Sequence, residues 1–208
     1  MRIASLFAGA LLFVGVGARP AAAQDGLLNF DEVRQLFTSK QPRAAANSLL
    51  LASIEFRKEM GRCHDATVGR RMLETEPKFN DFASRIGNGA IPAVGTLDSA
   101  FADLDLLLAQ HHQLLALDGW AKPRFTTMQA IGRDLGLSAN YLVRSHRWER
   151  KPLAADAAQV VSDALRAAKQ LGDDPGHPEA DTKAVIEALG RVVMSPTRIA
   201  LAEGGAKP

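Results

Sequence analysis

Apolar residues recur every three to four positions along most of the chain, a period typical of amphipathic helices. The longest such segment runs from Leu97 to Asp118 and contains no Lys or Arg. On a helical wheel at about 100° per residue, one narrow stripe collects Leu97, Phe101, Leu104, Leu108, His111 and Leu115. Thr96 is the predicted N-cap, and Gly119 is the residue predicted to end the helix. We therefore expect this helix to be buried at the centre of the molecule.

Three shorter helices are predicted before the central one, over residues 30–38, 42–62 and 77–86, and a further segment over residues 64–74 lies between the last two. Asn29 is the predicted N-cap of the first helix, with Glu32 at the third position. Pro42 suits the first turn of the second helix. Pro77 separates the segment over residues 64–74 from the helix that follows it, because proline lacks the backbone donor that a helix interior needs. A loop is predicted next, since residues 87–92 contain two glycines and a proline.

Three helices are predicted after the central one, over residues 124–148, 154–171 and 181–194. The turn from Gly119 to Pro123 is short, so the next helix should return antiparallel to the central helix. No segment shows the alternation typical of a strand. The sequence thus predicts an all-α bundle of about six to seven helices with the antiparallel hairpin Leu97–Trp148 at its centre. Both a closed bundle and a helical repeat fit this pattern.

The first 23 residues have the features of a cleaved export signal. Arg2 precedes an apolar segment from Ile3 to Gly17, and three alanines precede Gln24. The apolar segment is too short to span a membrane comfortably, and no later segment looks transmembrane. We therefore expect an exported protein, either periplasmic in a bacterium or secreted, with a single helical domain over residues 24–195 and a flexible tail over 196–208.

Charge and cysteine content narrow the classes of protein further. The chain has 25 Lys and Arg against 23 Asp and Glu, and cleavage after residue 23 would remove two arginines and leave a formal charge of zero. A neutral chain without a basic tract argues against a nucleic-acid partner. Cys63 is the only cysteine, so no disulfide forms within the chain. Burial as a small apolar side chain is the expected role of Cys63.

The central helix carries the polar residues of greatest interest. His111 lies within its apolar stripe, while Asp98, Asp105 and His112 line one border at sevenfold spacing. One interpretation is that His111 forms a hydrogen bond to a neighbouring helix and that the other three lie at a solvated rim. The alternative is a metal site, a haem site or a polar pocket between helices. Adjacent helical residues point about 100° apart, which argues against one site for both histidines.

Other candidate ligands lie on neighbouring predicted helices. Tyr141 and Trp148 follow Asp134 at sevenfold spacing and either widen the core or line a pocket or interface. His146 lies on the apolar stripe of that helix. Glu59 is spaced to share a metal with Glu55, but the pair is predicted to face solvent because it lies opposite the apolar residues of its helix.

No catalytic motif is present. The sequence lacks a phosphate-binding loop, a dinucleotide fingerprint, a nucleophile elbow and a zinc-protease motif. Met60 stands where a covalent haem site would need its first cysteine. We therefore expect that the protein is not an enzyme and that it requires no cofactor. The first hypothesis is that it binds a partner protein or a small ligand. The second is a metal- or haem-binding bundle, for which the candidate ligands are His111, His112, His146 and Asp105, with Tyr141 and Trp148 beside them.

Overall fold

A computed structural model describes residues 27–90, 92–124 and 126–195, and in these ranges all of the regular secondary structure is helical. The predicted export signal and the predicted tail lie outside the described residues. The seven helices are α1 (Phe30–Thr38), α2 (Pro42–Arg62), α3 (Ala66–Gly87), α4 (Val94–Ala121), α5 (Met128–Glu149), α6 (Ala155–Asp173) and α7 (Thr182–Val193). The predicted all-α fold is confirmed.

Helices α4 and α5 form the central antiparallel hairpin. The Ser138 hydroxyl donates to the carbonyl of Ala109 at 2.7 Å, and the Ser145 hydroxyl donates to the carbonyl of Ala102 at 2.9 Å. Residue numbers rise along α5 as they fall along α4, so the two helices run in opposite directions. Both hydroxyls are buried, and these bonds satisfy them while fixing the register of the pair.

The remaining helices enclose this hairpin. Helix α6 packs on α5, while α7 packs on α4 and α6. On the other side, α2 packs between α1 and α3. Large aromatic side chains join this second group to the hairpin, and they are Phe30, Phe56, Phe79, Phe101 and Trp148. Helix α4 is therefore surrounded on most sides, which explains why its apolar residues and many of its polar ones are buried.

The predicted break in the helix between Glu74 and Pro77 is wrong. Pro77 lies inside α3, which continues from Ala66 to Gly87 instead of dividing in two. The backbone donor that Pro77 lacks would have bonded to the carbonyl of Leu73, four residues earlier. Both residues are exposed, so water can solvate the face of the helix that loses this bond.

The central helix is also longer than predicted. It starts at Val94 after Ala93, so Thr96 lies within the first turn and is not the N-cap. Gly119 lies inside the helix, where a Cβ atom would approach the Thr126 side chain to 2.9 Å and that of Ile131 to 3.0 Å. The glycine permits the tight turn into α5, and the helix ends two residues later. No described helix is long and apolar enough to cross a bilayer.

Candidate metal centre

Six polar side chains of α4 are buried: Asp98, Asp105, Gln110, His111, His112 and Gln113. The predicted solvated rim is therefore wrong, because Asp98, Asp105 and His112 all lie in the interior. Neighbouring helices supply partners for most of these groups. Gln110, for example, donates to the Val193 carbonyl at 2.9 Å and accepts from Arg71 at 2.7 Å. The helix is thus held by polar contacts as well as apolar packing.

Two of these residues, His111 and His112, meet Glu59 of α2. One ligand atom from each of the three residues lies within 4.8 Å of the other two. Nε2 of His111 is 3.2 Å from Oε2 of Glu59, and Nε2 of His112 is 3.9 Å from the same oxygen. This is the one group of three or more possible metal ligands among the described residues.

The adjacent histidines converge although the wheel places them about 100° apart. Their ring centroids are 5.0 Å apart, with an angle of 55° between the ring planes. An imidazole extends from its Cα through two rotatable bonds, so the rings of neighbouring residues can turn toward a group that lies between them. The group that both rings approach is the carboxylate of Glu59 on α2. The inference that both rings could not face one site is therefore wrong.

His112 has one ring nitrogen with a partner and one without. Its Nδ1 lies 3.0 Å from Oδ1 of Asp134. Since a carboxylate accepts, Nδ1 carries the hydrogen, and a neutral ring then presents a lone pair at Nε2. That Nε2 atom is buried and has no hydrogen-bond partner among the residues that the structure describes. Burial lowers the pKa of His112 and outweighs the raising effect of Asp134, which keeps the ring neutral.

Glu59 is the residue that the sequence interpretation missed. It was placed with Glu55 on a solvated face, but its side chain is only 21% exposed and contacts His111. Burial opposes its charge, yet the hydrogen bond with His111 and the nearby side chains of His112 and Arg62 outweigh burial and lower the pKa of Glu59 to about 2. Glu59 is therefore ionised, as a metal ligand must be.

Arg62, one turn after Glu59, connects the two carboxylates of the site. Its guanidinium donates to Oε2 of Glu59 at 2.8 Å and to Oδ2 of Asp134 at 2.9 Å. Asp134 in turn orients His112. Burial opposes the charge of Asp134, but His112 and Arg62 lower its pKa overall. A continuous polar network thus joins α2, α4 and α5 around the unpartnered nitrogen.

The other candidate residues lie outside this group of ligands. Asp105 accepts from Arg144 and from the Trp148 indole, each at 2.7 Å. Burial raises the pKa of Asp105 to about 6, against the lowering effect of these donors. Trp148 and Tyr141 belong to the core, as one of the two interpretations proposed. His146 lies 3.3 Å from the Lys151 carbonyl, at the far end of α5.

Tyr141 packs against the ring of His112. Its ring stacks on His112 with the centroids 5.6 Å apart and the planes 8° from parallel, and its hydroxyl accepts from the backbone of Leu28 at 2.9 Å. Cys63, next to Arg62, is partly buried and is not among the possible ligands. Burial raises the pKa of the Cys63 thiol, which disfavours the reactive thiolate form.

Comparison with protein-family models, with curated proteins and with solved structures finds no match to this chain. Two imidazole nitrogens and a carboxylate oxygen are ligands suited to zinc and to other divalent transition metals.

Proposed function

We propose that this protein binds a divalent transition-metal ion, of which zinc is the representative, through Glu59, His111 and His112. The observation that carries the proposal is the buried Nε2 of His112, which has no hydrogen-bond partner within the described part of the chain and lies 3.9 Å from a carboxylate oxygen. Both atoms carry lone pairs, so without a cation between them they gain nothing from their proximity. A buried polar atom left in this state costs free energy.

The distances suit a small ion after modest adjustment. A zinc ion with bonds near 2.1 Å separates tetrahedral ligand atoms by about 3.4 Å. The separations of 3.2 and 3.9 Å from Glu59 Oε2 bracket that value. Each histidine ring is nearly or fully buried, so its position is fixed by packing. The imidazoles lie side by side with their centroids 5.0 Å apart, which leaves no slot for a flat macrocycle, so we favour a metal ion over haem.

The network around the ligands resembles the outer support of metal sites. A metal-bound histidine commonly donates its second ring hydrogen to a carboxylate, which fixes its orientation and raises its basicity. Asp134 accepts in this way from His112, and Arg62 holds Asp134 in place. These contacts support a site that is oriented before the ion arrives.

Calorimetric titration of the chelator-treated protein with Zn²⁺ tests the proposal. We expect one ion per chain, and we expect Glu59→Gln and His112→Ala to weaken binding more than tenfold, because each substitution removes a ligand. His177→Ala is the control, since His177 is exposed and pairs only with Asp174. The proposal fails if the unmodified protein does not bind Zn²⁺, or if all four proteins bind it equally.

We propose further that the protein acts outside the cytoplasm after cleavage near Ala23. The motivation is the arrangement of Arg2, the apolar segment and the three alanines before Gln24. N-terminal sequencing of the protein purified from its natural host tests this proposal. A chain that still begins at Met1 would contradict it.

A groove between α3 and α4 supports a second candidate function, the binding of a small amphipathic anion. The groove has a volume of about 510 Å³, which suits a small ligand. Its apolar lining includes Phe79, Phe82, Phe101, Leu104 and Leu107. Three cationic residues of α3 also line it at sevenfold spacing, Arg71, Lys78 and Arg85, against the two acids Glu74 and Asp103. Arg85 already pairs with Asp81 at 3.1 Å, so Lys78 and Arg71 are the cations that would attract the anionic end of a ligand above the apolar floor.

Titration with dodecanoate tests this second function, with the displacement of a bound fluorescent apolar probe as the measured signal. We expect saturable binding that Lys78→Glu weakens several-fold, because the substitution reverses a charge at the rim. Lys183→Glu on α7 is the matched control, since Lys183 is exposed and lies outside the groove. Binding that does not saturate, or that Lys78→Glu leaves unchanged, would contradict the proposal.

A further inference from the structure

We infer that the metal ion keeps a coordination position open on the side of Arg62, and that a small carboxylate occupies it. This inference rests on the proposed metal-binding function. The described residues supply three ligands, whereas zinc takes at least four. Structural zinc sites are closed by four protein ligands, and three protein ligands with an open position are the pattern of sites that accept an outside molecule.

Exposure indicates where the open position lies. The side chains of His111 and His112 are 1% and 0% exposed, whereas those of Glu59 and Arg62 are 21% and 35% exposed. Solvent therefore reaches the group from the side of α2 and not through the histidines. An incoming ligand must approach past Glu59 and Arg62.

Arg62 is placed to contact that ligand. Its Nη1 lies 2.8 Å from Oε2 of Glu59, the oxygen that both histidines face. A metal bound to this oxygen at about 2.1 Å lies no more than about 5 Å from Nη1. A carboxylate bridges a metal and a guanidinium at that separation, with one oxygen on each.

Charge favours an anion over a neutral ligand. Two carboxylates, those of Glu59 and Asp134, contact the guanidinium of Arg62 at 2.8 and 2.9 Å. Histidine binds a metal as the neutral imidazole, so a divalent ion gives this cluster a formal charge of plus one. One monoanion then neutralises it, and in a largely buried site such neutralisation is strongly favourable.

The test uses the full chain loaded with Co²⁺, whose visible absorption reports its coordination. We expect acetate to change the spectrum saturably near neutral pH, and we expect the acetate affinity to fall at higher pH as hydroxide competes. Arg62→Gln should weaken acetate binding to the Co²⁺-loaded protein more than tenfold, and Arg62→Lys should restore part of it. Arg133→Gln is the control, because Arg133 is 53% exposed and approaches Asp134 only to 4.0 Å.

The outcomes separate the two proposals. If Co²⁺ does not bind, the metal-binding function fails and this inference falls with it. If Co²⁺ binds but acetate leaves the spectrum unchanged, the open position is disproved while the metal site stands. If Arg62→Gln binds acetate as tightly as the unmodified protein does, the assigned role of Arg62 is wrong.

Discussion

Asp105→Ala is expected to destabilise the protein by about 3–5 kcal/mol, the cost of removing one partner from a buried ion pair. The Asp105 carboxylate accepts two hydrogen bonds from Arg144 and one from Trp148, and it is fully buried. Without it, the charge of Arg144 stays in the interior with a hydrogen bond to the Leu28 carbonyl and with the carboxylate of Asp31 4.0 Å away. The indole of Trp148 also loses its acceptor. Urea unfolding monitored by circular dichroism measures the loss.

Asp118→Ala provides the matched control on the same helix. Asp118 pairs with Lys122 at 2.7 Å, but both side chains are about half exposed or more. Water replaces such a contact readily, so we expect a loss below about 1 kcal/mol. Equal losses for the two substitutions would show that burial of the Asp105 pair does not determine its effect.

In the absence of metal, the ionised form of Glu59 is expected to contribute about 3 kcal/mol to the free energy of unfolding at neutral pH. The pKa of Glu59 is lowered from 4.5 to about 2 in the folded chain, and each pH unit corresponds to about 1.4 kcal/mol. Because the folded pKa lies below the unfolded one, this contribution is complete above about pH 4.5. It is lost as the pH falls toward 2.

Glu59→Gln isolates this effect, since glutamine keeps the shape of the side chain and cannot ionise. We expect the stability difference between the two proteins, measured with a chelator present, to be largest at pH 7 and to shrink steadily below pH 4.5. Other titrating groups, including Asp105, are common to both proteins and largely cancel in the difference. A difference that stays constant from pH 7 to pH 3 would contradict the prediction.

The positions of the helices were largely predictable from local pattern. The bounds of α1 and α2 agree with the expected ranges, because Asn29 accepts from the backbone of Glu32 and Pro42 starts α2 as predicted. The predicted break at Pro77 was wrong because the effect of a proline depends on whether the carbonyl four residues earlier, here that of Leu73, is exposed to water. That exposure is a property of the packed molecule, and the residue alone does not reveal it.

The sequence pattern singled out one residue of the candidate site, His111, but not the buried positions of His112 and Glu59. The unusual position of His111 in an apolar stripe identified α4 as the helix to examine, but the wheel treated the polar border of that stripe as exposed. In the structure, packing from both sides buries His112 and Asp105 as well. Glu59 lies 52 residues before His111 on a helix with many charges. Nothing in its local spacing distinguishes it from Glu55, which is exposed.

The two contacts of Leu28 have a consequence for how the chain reaches its final state. Its amide donates to the Tyr141 hydroxyl and its carbonyl accepts from Arg144, across separations of 113 and 116 residues. Contacts so distant along the chain form late, because a long loop must first close. During synthesis, Leu28 cannot form these two hydrogen bonds until α5 has emerged from the ribosome. In a chain that stops short of Arg144 and Tyr141, the segment around Leu28 should therefore be more susceptible to proteases.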